Sequence, residues 1–364
     1  MTMRPIDQVM TYLAAGQPVM LWGAPGTGKT ASVAQHATDR RAHLETLVLA
    51  TREPTEVGGW LALDAQGVVQ QSPPPWARRL RAALDAGREA WLFLDELSCA
   101  PPATQAAALS LIPIYRDQPM LVAGLSLSGV RVLAAGNPPE SAADVGWLSP
   151  PMAGRFAHVE WAVDVGAWVA GEASGWGRPR SAAHAAAAAS VTAYLARHRE
   201  ALAPALKGTQ AAQGRAWPSP RTWSAGIASM ALVQAADACA ILGGCVGVAA
   251  ATEWATWAEA LDLPEPAELL AGRAALPARA DQVYAALQSA ASYALADHAG
   301  RECDIAAAWR LVASVRPDVA LGAAQVLLAG TGGEVPDECV ELGRRIMAAR
   351  AGVAEAAPKR EKKS

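Results

Sequence analysis

The sequence predicts an α/β fold, a parallel sheet in the first part of the chain followed by an α-helical second half. Three observations lead there. Short apolar runs alternate with helical stretches through residues 1–165, the pattern of strands joined by crossover helices. Beyond residue 165 the strand signals fade. Hydrophobic residues make up 52% of the chain and charged residues only 18%, against roughly 25% charged in an average globular chain. The excess is mostly Ala, a helix former.

The elements follow in order. Residues 19–22, 43–50, 90–94, 130–135 and 156–163 are strand candidates; four are short and strongly apolar, as strands buried on both faces should be. Helices are expected from Lys29 to about Arg40, over 75–86 and over 103–111. Two loosely alternating segments bounded by turn residues read as hairpins. One joins 60–63 to 67–71 around Asp64-Ala65-Gln66, and the other joins 119–123 to 125–128 around Gly124. Residues 171–179 form a Gly/Trp/Pro-rich connector. Residues 182–206 are Ala-rich and helical, and 208–218 form a polar loop. Ser219-Pro220-Arg221 opens a helix, with a Ser cap and then Pro at the first helical position. The stretch 227–251 is apolar but interrupted by Asp237, and reads as a buried helix pair broken at Gly243–Gly244 rather than a membrane span. From about 252 to 351 the pattern is short helices broken by Pro264, Pro266, Pro277, Pro317 and Pro336.

Composition narrows the class of function. The net charge of -3 offers no basis for binding nucleic acid or an acidic membrane surface. The one clear charge run is the tail, Lys359, Arg360, Lys362 and Lys363, expected to be disordered and solvated. Cys99, Cys239, Cys245, Cys303 and Cys339 form no CxxC pair, so neither a zinc site nor a disulfide framework is expected, and a reduced cytoplasmic chain is. Met1 to Gln8 carries charge and no apolar core of signal-peptide length.

The chemistry begins at Gly23-Ala24-Pro25-Gly26-Thr27-Gly28-Lys29-Thr30, which fits G-x-x-x-x-G-K-[ST] in full, after an apolar strand and before a helix. Glycines let successive backbone N–H groups turn toward one ligand. The helix N-terminus adds partial positive charge beside phosphates. Lys29 would reach the β- and γ-phosphates of ATP, and Thr30 would place its hydroxyl on Mg²⁺. Downstream, Trp91-Leu92-Phe93-Leu94-Asp95-Glu96 is an apolar strand ending in two acids, the Walker B position of a P-loop protein. Asp95 would hold Mg²⁺, and Glu96 would polarise the attacking water as general base.

With both motifs present, residues 5–240 resemble an AAA+ module: the P-loop NTPase sheet followed by an α-helical lid. Val132-Leu133-Ala134-Ala135-Gly136-Asn137-Pro138-Pro139 is similar to the sensor 1 strand. The resemblance implies that Asn137 lies between the Walker strands and orients the lytic water, a role suited to an amide that donates and accepts without titrating. Pro150-Pro151-Met152-Ala153-Gly154-Arg155-Phe156 resembles the segment presenting the arginine finger, although Gly154 stands where Asn or Asp is common. Arg155 would enter a neighbouring subunit's site, which implies a ring, usually a hexamer. Trp217-Pro218-Ser219-Pro220-Arg221-Thr222-Trp223 resembles sensor 2, with Arg221 contacting the γ-phosphate in cis. The hairpins sit where a helix 2 insertion and a presensor 1 hairpin lie in the MoxR-like and dynein-related clade. Arg52-Glu53-Pro54-Thr55-Glu56-Val57-Gly58-Gly59-Trp60 also looks MoxR-like.

The resemblance implies an AAA+ nucleotide-binding domain (1–165) and a lid carrying sensor 2 (166–250); a helical C-terminal extension (251–357), which it does not cover, and the basic tail (358–364) follow. It implies a Mg-ATP-dependent ATPase that remodels or activates a protein partner in a chaperone-like way, often one with a von Willebrand factor A domain. The alternative is a nucleotide-gated scaffold whose ATP-bound ring docks a partner with slow hydrolysis. A nucleic-acid motor is a third reading, opposed by the acidic balance.

The remaining conspicuous residues have plainer expectations. Of thirteen Trp, Trp22, Trp91 and Trp161 fall in strand patterns and are expected in the core, while Trp60 opens a hairpin. The six His show no metal-ligand spacing. Cys99, three residues after Glu96, is expected to be a small buried residue.

Overall fold

The computed structural model describes residues 3–63, 66–113, 119–138, 148–177, 181–204, 214–261, 263–296, 299–336 and 339–340. Outside them lie the basic tail, Pro139, Asp64 and Ala65 of the first hairpin turn, and much of the loop expected at 208–218. The described residues divide at Val163–Asp164 into two compact units.

The first unit is built on a parallel sheet of five strands, β1 (Val19–Trp22), β2 (His43–Val48), β5 (Ala90–Asp95), β8 (Arg131–Gly136) and β9 (Ala157–Glu160). Their order across the sheet is β2-β5-β8-β1-β9. The three central strands are buried on both faces, which is why they read as continuous apolar runs. The edge strands β2 and β9 alternate buried with exposed positions. β2 stops at Val48, where residues 49–51 turn. β9 ends at Glu160, before the Trp161 that the sequence pattern assigned to it.

Helix α1 (Pro5–Ala14) and α2 (Lys29–Asp39) cover one face, packing Val9, Leu13, Val33 and Ala37 on Trp91, Phe93 and Leu133. α1 was not expected. Its signal is Pro5 at the first position with Ile6, Val9, Met10 and Leu13 at helical spacing. On the other face lie Trp76 and Leu80 of α4 (Pro75–Asp85) and residues around α5 (Pro102–Leu109).

Both expected hairpins form. After the short α3 (Pro54–Gly58), β3 (Trp60–Leu63) pairs antiparallel with β4 (Val69–Ser72), and β6 (Leu121–Val122) with β7 (Leu125–Ser126). Helix α4 braces both: Arg78 Nη2 donates to Ser72 Oγ at 2.9 Å and Arg81 Nη1 to the Ser126 carbonyl at 3.3 Å. In the first hairpin Leu61, Leu63 and Val69 share one strongly exposed face, and Trp60 is partly exposed.

The second unit is helical: α7 (Val165–Ala173), α8 (Ala182–Arg197), α9 (Pro220–Met230), α10 (Ala238–Val246), α11 (Val248–Glu259), α12 (Pro266–Leu270), α13 (Ala280–Leu295), α14 (Arg301–Ala313) and α15 (Pro317–Gly330). Two features of this unit differ from the sequence pattern. Gly243 and Gly244 lie inside α10, and the break falls at Gly247, whose φ of 87° ends one helix and admits the next. The last helices are also not short: α13, α14 and α15 hold 16, 13 and 14 residues. Pro266 and Pro317 do not break helices but begin them, since the first turn needs no donor from proline. Ala291, Ala294, Ala320, Ala323 and Ala324 fill this core around Trp309 and Leu327, their small side chains letting the helices approach closely.

Candidate functional site at the carboxyl edge of the sheet

All five strands run in parallel, so β1, β5 and β8 end on the same edge, where ligands of open α/β sheets bind. Residues 23–28 connect β1 to α2. Gly26 and Gly28 adopt left-handed φ of 75° and 87°, the conformations for which the motif's glycines are needed. Thr27 Oγ1 donates to the Ala24 carbonyl at 2.7 Å, closing the loop. The Trp161 indole donates to the Thr27 carbonyl at 3.2 Å and pins it from β9's side of the sheet. Trp161 thus borders the site as well as the core, a role its strand pattern did not announce.

Lys29 is the first residue of α2 and largely buried. Its Nζ donates to the Gly23 and Ala24 carbonyls at 2.6 and 3.0 Å and to Asn137 Oδ1 at 3.1 Å. β8 lies between β1 and β5 and carries Asn137 to this point, as the sensor 1 resemblance implies. Thr30 Oγ1 donates to Asp95 Oδ2 at 2.6 Å. The other Asp95 oxygen accepts the Glu96 backbone N–H at 2.9 Å. Glu96 is exposed and sits at φ 54°, ψ 34°, a left-handed conformation unusual for a residue with a Cβ. That bend turns the chain away from the sheet directly after β5.

The arrangement can do specific chemistry. Thr30 and Asp95 converge as hard oxygen donors, the set that suits Mg²⁺ completed by phosphate oxygens and water. Among the described residues no group of three or more His, Cys, Asp or Glu could hold a metal unaided. Gly23, Ala24, Pro25, Gly26, Thr27 and Gly28 form the loop whose backbone amides can face phosphate. Glu96 is exposed to solvent beside Asp95.

The other two expected site residues sit differently. Arg155 follows α6 (Pro150–Ala153), and its Nη1 donates to the carbonyl of Leu109, the last residue of α5, at 2.5 Å and to that of Ile112, just beyond it, at 3.1 Å. Within this chain it holds a helix C-terminus. Next to it, Trp22 Nε1 donates to His158 Nδ1 at 2.7 Å and His158 Nε2 lies 2.9 Å from the Ala153 carbonyl, tying the end of β1 to α6. Arg221 belongs to the second unit, exposed in the first turn of α9. That turn is well built: Ser219 and Thr222 cap each other reciprocally, and Trp223 is fully buried with its indole on the Ala201 carbonyl. Cys99 is half-buried rather than buried.

A parallel sheet with a phosphate loop, an acid pair and a strand carrying Asn137 between them defines a P-loop nucleotide-binding unit. Residues 18–156 match the family of the AAA domain (dynein-related subfamily), which supports an AAA+ ATPase. No curated protein matches the chain. Among the described residues no helix is long and apolar enough to cross a membrane.

Proposed function

We propose that the chain is a Mg-ATP-dependent AAA+ ATPase of MoxR-like type that works as a ring and remodels or activates a protein partner. The observation that carries this reading is the convergence of Lys29, Thr30, Asp95, Glu96 and Asn137 on one sheet edge. In this account Lys29 and the amides of residues 23–28 hold the phosphates, and Thr30 and Asp95 hold Mg²⁺, which when bound neutralises charge on the phosphate oxygens. Glu96 takes a proton from water that Asn137 orients. Arg221 acts in cis and Arg155 from a neighbouring subunit. The exposed Leu61–Leu63–Val69 face of the first hairpin supports a protein rather than a nucleic-acid partner, one of von Willebrand factor A type by the resemblance.

The test is ATP turnover against protein concentration, with size followed by light scattering in ATP and Mg²⁺. Specific activity that rises as a ring appears is expected. A constant rate from a monomer contradicts the shared site.

The carbonyl contacts of Arg155 favour a second reading of that residue, as a strut for the end of α5. Mixing Arg155→Ala with Lys29→Ala subunits separates the two. Restored turnover is the mark of a residue donated in trans, and no restoration with a lowered melting temperature is the mark of a strut.

A further inference from the structure

Between β5 and β8 the ladder ends at Leu94 and Ala134. The chain then turns away at Glu96, so the backbone of Asn137 has no strand beside it on that side. A single side chain takes the strand's place. Ser98, only 1% exposed, accepts the Asn137 backbone N–H at 3.0 Å and donates to the Asn137 carbonyl at 3.3 Å. A hydroxyl can do both with one atom. On the opposite side the Gly136 carbonyl accepts the Gly23 N–H at 3.3 Å, so the sensor segment is clamped between the phosphate loop and Ser98. The clamp requires Gly136: a Cβ there would meet Met20 Cε at 2.6 Å and Ser98 Oγ at 2.8 Å. Ser98 is also tied to the acid pair, because the turn over residues 97–99 closes with Cys99 N–H on the Glu96 carbonyl at 3.0 Å.

We infer that Ser98 is a positioning residue for hydrolysis: it fixes the Asn137 backbone relative to Glu96, so that the Asn137 amide faces Lys29 and the γ-phosphate position. This rests on the proposed role of Asn137. Ser98 acts through Asn137, where a displacement of about 1 Å costs on the order of 100-fold in rate.

The test is a double-mutant cycle on the full chain, reading kcat at saturating ATP and nucleotide Kd separately. Ser98→Ala is expected to lower kcat about tenfold or more while Kd stays within about twofold. In an Asn137→Ala background the same substitution is expected to cost nothing further. Gly136→Ala, which keeps the hydroxyl but displaces it, is expected to behave as Ser98→Ala does, and replaces it in the cycle if Ser98→Ala does not fold. Reduced turnover in Asn137→Ala with an additive loss from Ser98→Ala overturns the positioning role alone, as does a Ser98→Ala variant with raised Kd and unchanged kcat. Full turnover in Asn137→Ala overturns the reading of Asn137, and the role of Ser98 falls with it.

Discussion

The indole of Trp161 donates to the backbone carbonyl of Thr27 at 3.2 Å, joining the segment after the edge strand β9 to the middle of the phosphate loop. The Thr27–Ala24 contact, the Lys29 ammonium and the Gly23 N–H on the Gly136 carbonyl also hold the loop. In the proposed function Lys29 holds phosphate; were it to give up its bonds to the Gly23 and Ala24 carbonyls in doing so, the Trp161 contact is one that could persist.

Trp161→Phe keeps an aromatic ring, a smaller one, and removes the donor. A hydrogen bond of this kind contributes about 0.5–1.5 kcal/mol net. If it preorganises the loop, ATP binding weakens about fivefold, measured by calorimetry, with kcat at saturation little changed. Unaltered affinity would show that the loop holds its shape without it.

Glu96 carries a cost in its backbone. Left-handed φ in a residue with a Cβ is unfavourable by roughly 1–2 kcal/mol, and such strain gathers at functional sites. Glu96→Gly is therefore expected to raise stability by about 0.5–1 kcal/mol in chemical denaturation while lowering turnover by about 100-fold or more. A destabilised Glu96→Gly protein would refute the strain.

The edge strand offers a pH-dependent contact away from the site. Burial alone would push the Glu45 carboxyl up. The Arg79 guanidinium, donating to both its oxygens at 2.7 Å, and His43, at 2.9 Å, outweigh this and hold it below its ordinary value of 4.5. A lowered folded value means that the stabilisation is fully present above the ordinary carboxylate range and is lost as pH falls through the folded value. The stability gap between the native chain and Glu45→Gln should close as pH falls from about 5 toward 3 in a series of thermal melts. A gap independent of pH would mean that the carboxylate charge contributes nothing.

The parts of the fold that were legible in the sequence are those where local pattern and tertiary environment agree. Strands β1, β5 and β8 are buried on both faces and read as apolar runs. The phosphate loop and acid pair are contiguous motifs, so Lys29, Thr30, Asp95 and Glu96 could be named directly. Features made by distant segments were not legible. Ser98 is an ordinary serine until β8 ends beside it, and Trp161 looks like a strand residue until β9 stops one position short. The Arg155 contacts to Leu109 and Ile112 join residues far apart in the chain. Gly243–Gly244 misled because glycine in a helix interior is costly but tolerated when packing offsets it, while Gly247, with its positive φ, makes the break.

The most direct test of the account compares Glu96→Gln with the native chain for ATP binding and for single-turnover hydrolysis in Mg²⁺. The substitution keeps the shape of the side chain and removes its basicity. Unchanged affinity with hydrolysis slowed by about 100-fold or more is the expected result. Native-rate hydrolysis in Glu96→Gln would contradict the assignment of Glu96 as the base.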